Sequence, residues 1–402
     1  MIFDFELWDD RHLIRQPSRE EFRLMKEALP GLIGFLAAYP LLTLNFSELP
    51  PKPWPITVAG VPVFLRKPSD GISFCEMIRG PVYMGQVGKG GRLELSPTLE
   101  LGKTPTTIFV SSLKRAIQAR FGVELGDISW FGASFAIEVQ SPPDFSVSSL
   151  PGVVGKSPIF YKTPSRKVPI DAALRQKVPD GVCCDDSNYG KQLRPGVLLN
   201  NGGDDENLPS LSTAAGLPVK SKTGQRYVTV GAHGFPGLDS LVYHPNRHGE
   251  QIGTLALKIG ESDMGLAKLH DDIHFSNENF STDDDDGPIF RDFRPVKEVQ
   301  YGEIVSMDTP FSERCDGAVI GTLFQSLPPS SGNDEDDFII HLWIYTGNGR
   351  GRMMAESCGS VIWDQDDKVI GFHRFVDDIP GLSCAVSSQC LQDLGMVIEE
   401  IL

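Results

Sequence analysis

The sequence predicts a small α+β region near the N-terminus and an all-β barrel or sandwich in the second half of the chain. Two helical patterns and three short β-type runs share residues 1–140, which indicates an α+β region. From residue 196 onward, short β-type runs alternate with turn residues at modest spacing, as is typical of a barrel or a sandwich. A stretch rich in Pro, Ser and Gly separates the two patterns.

Two capped helices are predicted in the N-terminal region. Ser18 and Glu21 form a capping-box pattern at the start of an apolar-periodic run, so a helix is predicted over 18–29. The run Val110–Phe121 has helical periodicity, and Gly122 fits the position just past a helix end. Strands of the same region are predicted at Val61–Leu65, Asp127–Phe131 and Ala133–Val139.

The recurring prolines of residues 141–195 predict a linker. The predicted domains are therefore 1–140, whose role the sequence does not indicate, and 196–402, which holds the β-rich pattern. A final helix is predicted over Gln389–Leu402. The predicted strands of this second domain are Val197–Leu199, Arg226–Val230, Ser240–Tyr243, Thr254–Leu257, Gly265–Leu269, Ile304–Ser306, Ala318–Ile320, Phe338–Tyr345, Val361–Trp363, Lys368–Phe375 and Ser383–Val386.

Charge and cysteine usage limit the classes of partner and compartment. The 402 residues carry a formal net charge of -16 at pH 7, and both nucleic acid and anionic lipid need a basic face, so neither partner is expected. The seven cysteines are odd in number and irregular in spacing, which does not fit a disulfide framework. The acidic N-terminus and an apolar stretch broken by Pro40 are unlike a signal peptide or a membrane span. We therefore expect a cytoplasmic protein.

Three segments supply the groups that nucleophilic catalysis needs, in a fixed chain order. One β-type run ends in Ala232-His233, and a second begins just after Asp263. Cys358 is followed directly by Gly359-Ser360 and then by a third β-type run. Such catalysis uses a nucleophile, a base within hydrogen-bond reach and a third group that orients the base. The sequence therefore predicts Cys358 as nucleophile, His233 as base and Asp263 as the orienting group.

In order and strand context, these segments resemble the chymotrypsin-like serine and cysteine protease superfamily over about residues 196–395. The resemblance implies two six-stranded antiparallel β-barrels with the site in the cleft between them. His233 and Asp263 would lie on the first barrel and Cys358 on the second. The fold class expected for the chain is thus an all-β double barrel preceded by a small α+β domain.

The nucleophile position has two possible registers, Cys358 and Ser357. Cys358 is preferred because it keeps the inward face of the strand that follows, whereas a one-residue slip reverses that face. Viral cysteine proteases of the superfamily have a similar Cys-Gly pair. The resemblance also implies an oxyanion hole formed by the backbone amides of Cys358 and Glu356. Glu356 departs from the family pattern, which has glycine there and no acidic side chain near the oxyanion.

Three further histidines have a sequence context or spacing that suggests binding. His373 follows Gly371-Phe372, and viral cysteine proteases of the superfamily place a substrate-binding histidine in a similar Gly-x-His context. The alternative is a half-buried strand histidine without a binding role. His244 and His248 have the spacing of a metal pair, but no third ligand is evident, so no metal site is expected. No cofactor is expected either.

Two functions from different classes follow from the sequence. The first is a cysteine endopeptidase that acts on a protein or peptide substrate, with Cys358, His233 and Asp263 in the roles given above. The second is an inactive protease-like scaffold that binds a protein partner, which Glu356 favours. A serine enzyme using Ser357 is a third interpretation. The sequence indicates neither the substrate nor the oligomeric state.

Overall fold

The computed structural model of the chain describes residues 1–10, 14–38, 41–51, 54–67, 86–96, 99–140, 145–162, 193–202, 212–245, 248–282, 286–310, 313–327, 338–346, 357–376 and 382–399. Within them the α-helices are α1 (Arg19–Ala28), α2 (Thr107–Phe121) and α3 (Gln389–Asp393). Short 3-10 helices lie at Val147–Ser149, Ala232–Gly234 and Val296–Glu298. No helix of the described chain is long and apolar enough to cross a membrane.

The strands up to residue 162 are β1 (Leu32–Ala38), β2 (Leu41–Phe46), β3 (Thr57–Val58), β4 (Val61–Arg66), β5 (Gln86–Val87), β6 (Arg92–Leu93), β7 (Glu124–Trp130), β8 (Phe135–Gln140), β9 (Val153–Val154) and β10 (Ser157–Lys162). The later strands are β11 (Leu198–Asn200), β12 (Ser212–Lys220), β13 (Arg226–Gly231), β14 (Leu241–His244), β15 (Glu250–Ile259), β16 (Met264–Leu269), β17 (Ile304–Met307), β18 (Cys315–Ser326), β19 (Phe338–Tyr345), β20 (Val361–Asp364), β21 (Val369–Val376), β22 (Leu382–Ser387) and β23 (Val397–Ile398).

The chain divides into two compact units. The first contains residues 1–166, 297–303 and 317–350, and the second contains 167–296, 304–316 and 351–402. Residues 153–162 were expected in the linker, but they form β9 and β10, and the side chain of Tyr161 is buried in the core of the first unit. Residues 163–192 of the expected linker lie outside the described residues. The domain limits given by the sequence stay a prediction.

The first unit combines helices and sheet, as expected for its N-terminal part. Helix α1 packs on a four-stranded sheet of order β1-β2-β4-β3, and Met25 and Phe46 are fully buried in their shared core. Helix α2 packs on β7 over a second core that includes Leu113 and Trp130. Gly122 ends α2 in the left-handed conformation, with φ 65°, as predicted.

The second unit contains the first β-barrel. Strands β11-β14-β15-β16-β13-β12 are hydrogen-bonded in that order, and β12 returns to β11, so the barrel is closed and antiparallel. A separate apolar cluster packs the outside of this barrel on the sheet β20-β21-β22 of the same unit. Leu217 and Leu266 come from the barrel, and Trp363, Phe372 and Val386 come from the sheet. This cluster fixes the relative position of the segments that carry the predicted site.

The strand order of the whole chain gives two closed six-stranded antiparallel barrels, the first of β11–β16 and the second of β17–β22. The predicted double β-barrel is therefore confirmed, and each predicted strand overlaps an observed one. Strand β12 was not predicted, because its small residues and Pro218 hide the β pattern. The predicted helix over Gln389–Leu402 is wrong between Leu394 and Glu399, because Val397 and Ile398 pair with β12 as a strand, and residues 400–402 lie outside the described residues.

The N-terminus of α1 has the predicted capping box and one additional ion pair. Ser18 Oγ accepts a hydrogen bond from Glu21 N (3.2 Å), and the Glu21 carboxylate accepts one from Ser18 N (2.7 Å). Arg15 donates two hydrogen bonds to the same carboxylate (2.7 and 2.8 Å). The hydrogen bond from Arg15 is the main reason why the pKa of Glu21 falls from 4.5 to about 2.

We predict that Glu21→Gln removes an acid-sensitive part of the stability of α1. A carboxyl whose folded-state pKa is depressed stabilises the fold above its unfolded-state pKa, and that stabilisation is lost as pH falls toward the folded-state value. The variant keeps the capping pattern but loses the charge that pairs with Arg15, so it should lose about 1 kcal/mol near pH 6, the upper end for a partly exposed ion pair, and roughly a quarter of that near pH 2.5. Native-state hydrogen exchange of the α1 amides measures this difference.

Glu27→Gln is the matched control, because Glu27 lies on the same helix and, among the described residues, pairs only with Arg23 at the exposed surface. An exposed ion pair of this kind contributes less than about 0.5 kcal/mol. An equal loss in both variants, or a Glu21→Gln deficit as large at pH 2.5 as at pH 6, would contradict the prediction.

Candidate active site

His233 and Asp263, two of the three residues predicted for catalysis, are hydrogen-bonded to each other. His233 Nδ1 lies 2.6 Å from Asp263 Oδ2, and the backbone N–H of His233 donates to Asp263 Oδ1 at 2.8 Å. A carboxylate accepts hydrogen bonds and does not donate them, so the ring proton is on Nδ1. The Nε2 lone pair then points away from Asp263, and no described residue hydrogen-bonds to it. This is the arrangement that a general base requires.

Asp263 is held by its own backbone as well as by its side chain. It stands directly before β16 in the left-handed conformation, with φ 64°, which aspartate tolerates better than most residues with a side chain. Its carbonyl accepts a hydrogen bond from Ala232 N (2.8 Å). The preceding hydroxyl, Ser262 Oγ, is buried and accepts from Met264 N (3.1 Å). The aspartate is thus part of a tight turn that faces the end of β13.

The segment around Cys358 forms a tight turn that leads into β20. Ser360 N donates to Ser357 O at 3.0 Å, and Gly359 has φ 92°, a conformation that a side chain would strain. Gly359 N donates to His373 O (2.8 Å), and His373 N donates to Ser360 O (2.9 Å). The two residues that follow the predicted nucleophile are therefore bound to β21.

The Cys358 thiol does not contact His233 through a hydrogen bond. Its Sγ donates to the backbone carbonyl of Arg374, a residue at an irregular position in the pairing of β21 with β22, and the side chain of Cys358 is fully buried. The two residues are nevertheless close. A methyl group added to Gly231 would lie 3.2 Å from His233 Cε1 and 3.6 Å from the carbonyl carbon of Cys358. The structure therefore brings all three predicted residues close together, but the thiol hydrogen-bonds to Arg374 and not to His233.

A narrow cavity lies beside the His233–Asp263 pair. Its volume of about 10 Å³ has room for roughly one water molecule. The lining includes Asp263, Gly359, His373 and Arg374, together with apolar side chains such as Phe372. His373, the predicted substrate-binding residue, is buried, with 2% of its surface exposed. The cavity is too small to hold a substrate side chain.

The remaining predicted residues are placed as follows. Glu356, one of the two predicted oxyanion-hole residues, lies outside the described residues. His244 is buried, and its Nδ1 donates to Leu198 O at 2.8 Å, which uses one of its two ring nitrogens. In the described parts of the chain, no three His, Cys, Asp or Glu side chains are grouped so as to hold a metal ion.

Sequence reasoning missed Thr213, whose side chain reaches the nucleophile segment. Its hydroxyl, on β12, is fully buried and lies 2.6 Å from the carbonyl oxygen of Cys358, 145 residues along the chain. The one sequence signal was a threonine within the run of small residues Thr213-Ala214-Ala215-Gly216, and that run was not recognised as a strand.

Comparison with known proteins finds similarity in the fold. No protein-family model and no curated protein matches the sequence. Solved structures similar to this chain include a glutamic-acid-specific serine protease, at 12% identity and a TM-score of 0.39 over 52% of this chain and all of that one. A Nocardiopsis protease (10% identity, TM-score 0.37) and the chymotrypsin of Cellulomonas bogoriensis (11%, 0.35) each match over the same shares. Identity this low carries no activity across from those proteins.

We predict that Asp263→Ala destabilises the chain by about 1–3 kcal/mol more than Asp239→Ala does. Asp239 also has φ 64°, but it is exposed and makes no side-chain hydrogen bond in the described chain, so its variant measures the cost of alanine in that conformation. Asp263→Ala carries the same backbone cost and also leaves the buried N–H of His233 without an acceptor. Urea denaturation measures both free energies of unfolding. Equal losses would show that the hydrogen bonds of Asp263 contribute nothing.

Proposed function

We propose that the double-barrel part of the chain is a cysteine endopeptidase with a protein or peptide substrate. Cys358 is the nucleophile, His233 the base and Asp263 the orienting group. One observation carries the proposal: His233 is bound through Nδ1 to Asp263, which leaves Nε2 as the available base beside the Cys358 turn. Such a pair activates a neighbouring thiol by taking its proton.

The reaction proceeds in two halves. Sγ of Cys358 attacks the carbonyl carbon of the peptide while its proton passes to Nε2 of His233, and the backbone N–H of Cys358 faces the developing oxyanion. The tetrahedral intermediate collapses as His233 gives the proton to the leaving amine, which leaves a thioester on Cys358. Water, deprotonated by His233, then hydrolyses the thioester and restores the thiol. No oxidant, metal or cofactor is needed.

The thiol reaches this arrangement by a change of side-chain rotamer. In the resting structure it donates to the carbonyl of Arg374, and a thiol is a weak hydrogen-bond donor, so releasing that bond costs little. The backbone of Cys358 stays fixed by its neighbours, so rotation about one bond, Cα–Cβ, is enough to redirect Sγ. The substrate contact expected at His373 stays a prediction: its backbone is bound to Gly359 N and Ser360 O, and its side chain is buried.

A second function, an inactive scaffold that binds a protein partner, is favoured by a different observation. Cys358 is fully buried and its thiol faces Arg374 rather than His233. Digestion of a peptide library by the full chain separates the two functions. Cleavage that disappears in Cys358→Ala and persists in Ser357→Ala supports the peptidase. If a chain that is folded by circular dichroism cleaves no peptide, the scaffold is supported.

We predict that His233 controls the reactivity of Cys358 and of no other described thiol. Burial raises the pKa of Cys315 and of Cys390 to about 12, so both stay protonated near neutral pH and serve as internal controls. Alkylation of the full chain with iodoacetamide near pH 7.5, mapped by mass spectrometry, gives a rate for each thiol. His233→Ala should lower the Cys358 rate at least about tenfold, because general-base assistance typically contributes more than that.

The rates of Cys315 and Cys390 should stay unchanged in the same variant. Each thiol is compared with the same thiol in the wild type. An unchanged Cys358 rate in His233→Ala would overturn the proposed catalytic pair.

A further inference from the structure

Thr213 lies between the segment that carries the base and the segment that carries the nucleophile. Its Oγ1 donates a hydrogen bond to Cys358 O at 2.6 Å and accepts one from Gly231 N at 3.1 Å. The hydroxyl has a single proton, and its other acceptor within reach, Ala214 O, lies farther away at 3.5 Å. The proton is therefore assigned to Cys358 O.

Both partners of this hydroxyl are next to reacting groups. Gly231 is the last residue of β13, two positions before His233, and the accepting carbonyl belongs to Cys358 itself. One buried side chain thus joins the backbone of the base segment to the backbone of the nucleophile. No solvent competes for these bonds, because the exposed fraction of Thr213 is 0%.

Close approach to the hydroxyl depends on two glycines. A methyl group on Gly231 would lie 2.7 Å from Thr213 Oγ1, and one on Gly359 would lie 3.0 Å from it. In real proteins a Cβ atom essentially never lies 2.7 Å from another heavy atom, and a separation of 3.0 Å is rare. The base segment and the nucleophile turn can therefore both reach Thr213 only because neither glycine has a side chain.

The peptide plane after Cys358 is held at both ends. Its oxygen accepts from Thr213 Oγ1 and from Ala214 N (2.9 Å), and its N–H, on Gly359, donates to His373 O (2.8 Å). Rotation of this plane would move the Cα–Cβ bond of Cys358 and with it the path that Sγ follows. Without the Thr213 hydroxyl, the Cys358 carbonyl oxygen would keep only the hydrogen bond from Ala214 N. The buried N–H of Gly231 would have lost its acceptor.

We infer that Thr213 is a positioning residue that sets the place of the Cys358 thiol relative to His233. The inference rests on the proposed function, since it assigns Thr213 a role in the reactivity of Cys358. Thr213 touches no substrate atom and acts through the backbone of Cys358 and Gly231. A positioning role predicts a change in thiol reactivity that a purely structural threonine does not cause.

The test compares Thr213→Val with Thr213→Ser and with Thr229→Val in the full chain. Valine keeps the shape and removes the hydroxyl, and serine keeps the hydroxyl. Thr229 is the matched control, because it is also a buried barrel threonine whose Oγ1 accepts a backbone N–H, that of Leu217 at 2.8 Å. The measurement is the second-order rate of Cys358 alkylation by iodoacetamide between about pH 5 and pH 9.

Thr213→Val should lower the Cys358 rate about tenfold near pH 7, which corresponds to the loss of about 1.4 kcal/mol, within the range for a buried hydrogen bond. Thr213→Ser and Thr229→Val should each stay within about twofold of the wild type. Equal rates in Thr213→Val and the wild type, or equal losses in Thr213→Val and Thr229→Val, would overturn the positioning role.

A second measurement keeps the inference separate from the proposed function. If His233→Ala leaves the Cys358 rate unchanged, the proposed function fails, and the Thr213 link is then judged by amide exchange at Gly231 and by the carbonyl ¹³C shift of Cys358. The amide exchange and the ¹³C shift should both change in Thr213→Val and should stay unchanged in Thr229→Val. The link is overturned if the two variants change these measurements equally, or if Thr213→Val changes neither. If Thr213→Val does not fold, Thr213→Ala against Thr213→Ser gives the same comparison.

Discussion

The double hydrogen bond between Asp263 and His233 is the constraint on which the site depends. The two bonds to the carboxylate fix the backbone and the ring of His233 together, and the Asp263 carbonyl also binds Ala232 N. Asp263 adopts a backbone conformation that most residues avoid, which costs of order 1 kcal/mol, and the surrounding bonds have to offset that cost. Because this turn stands directly before β16, the closed barrel holds it in place. The orientation of the imidazole is therefore a property of the fold and does not require a ligand.

The nucleophile turn is fixed in a different way, through its main chain. Gly359 and Ser360 exchange hydrogen bonds with His373, and the Cys358 carbonyl binds β12. Beneath these bonds, Leu217 and Leu266 of the first barrel pack on Phe372 in a common apolar cluster. Removal of apolar surface from water thus holds the two segments together, and the directional bonds then set the position of the turn.

The sequence predicted those parts of the fold and site that have a local signal. The capping box at Ser18 and the helix end at Gly122 depend on neighbouring residues, and both are present. Strand β12 was missed because Pro218 and the small residues around it have no β pattern of their own, and pairing with β11 and β13 makes them a strand. The C-terminal helix was predicted too long for the same reason, since Val397 pairs with β12. Long-range pairing overrides local preference in both cases.

In the site, too, local sequence patterns predicted which residues lie close together but not the direction of a side chain. Motif order placed His233, Asp263 and Cys358 together, but the direction of the thiol depends on the carbonyl of Arg374, which an irregularity in the pairing of β21 makes available. A thiol is a weak hydrogen-bond donor, so its bond to Arg374 contributes little to holding the side chain in this rotamer. The larger barrier is access, because Cys358 has no exposed surface. In the proposed peptidase, a substrate backbone therefore has to open a path to Sγ before the three residues react.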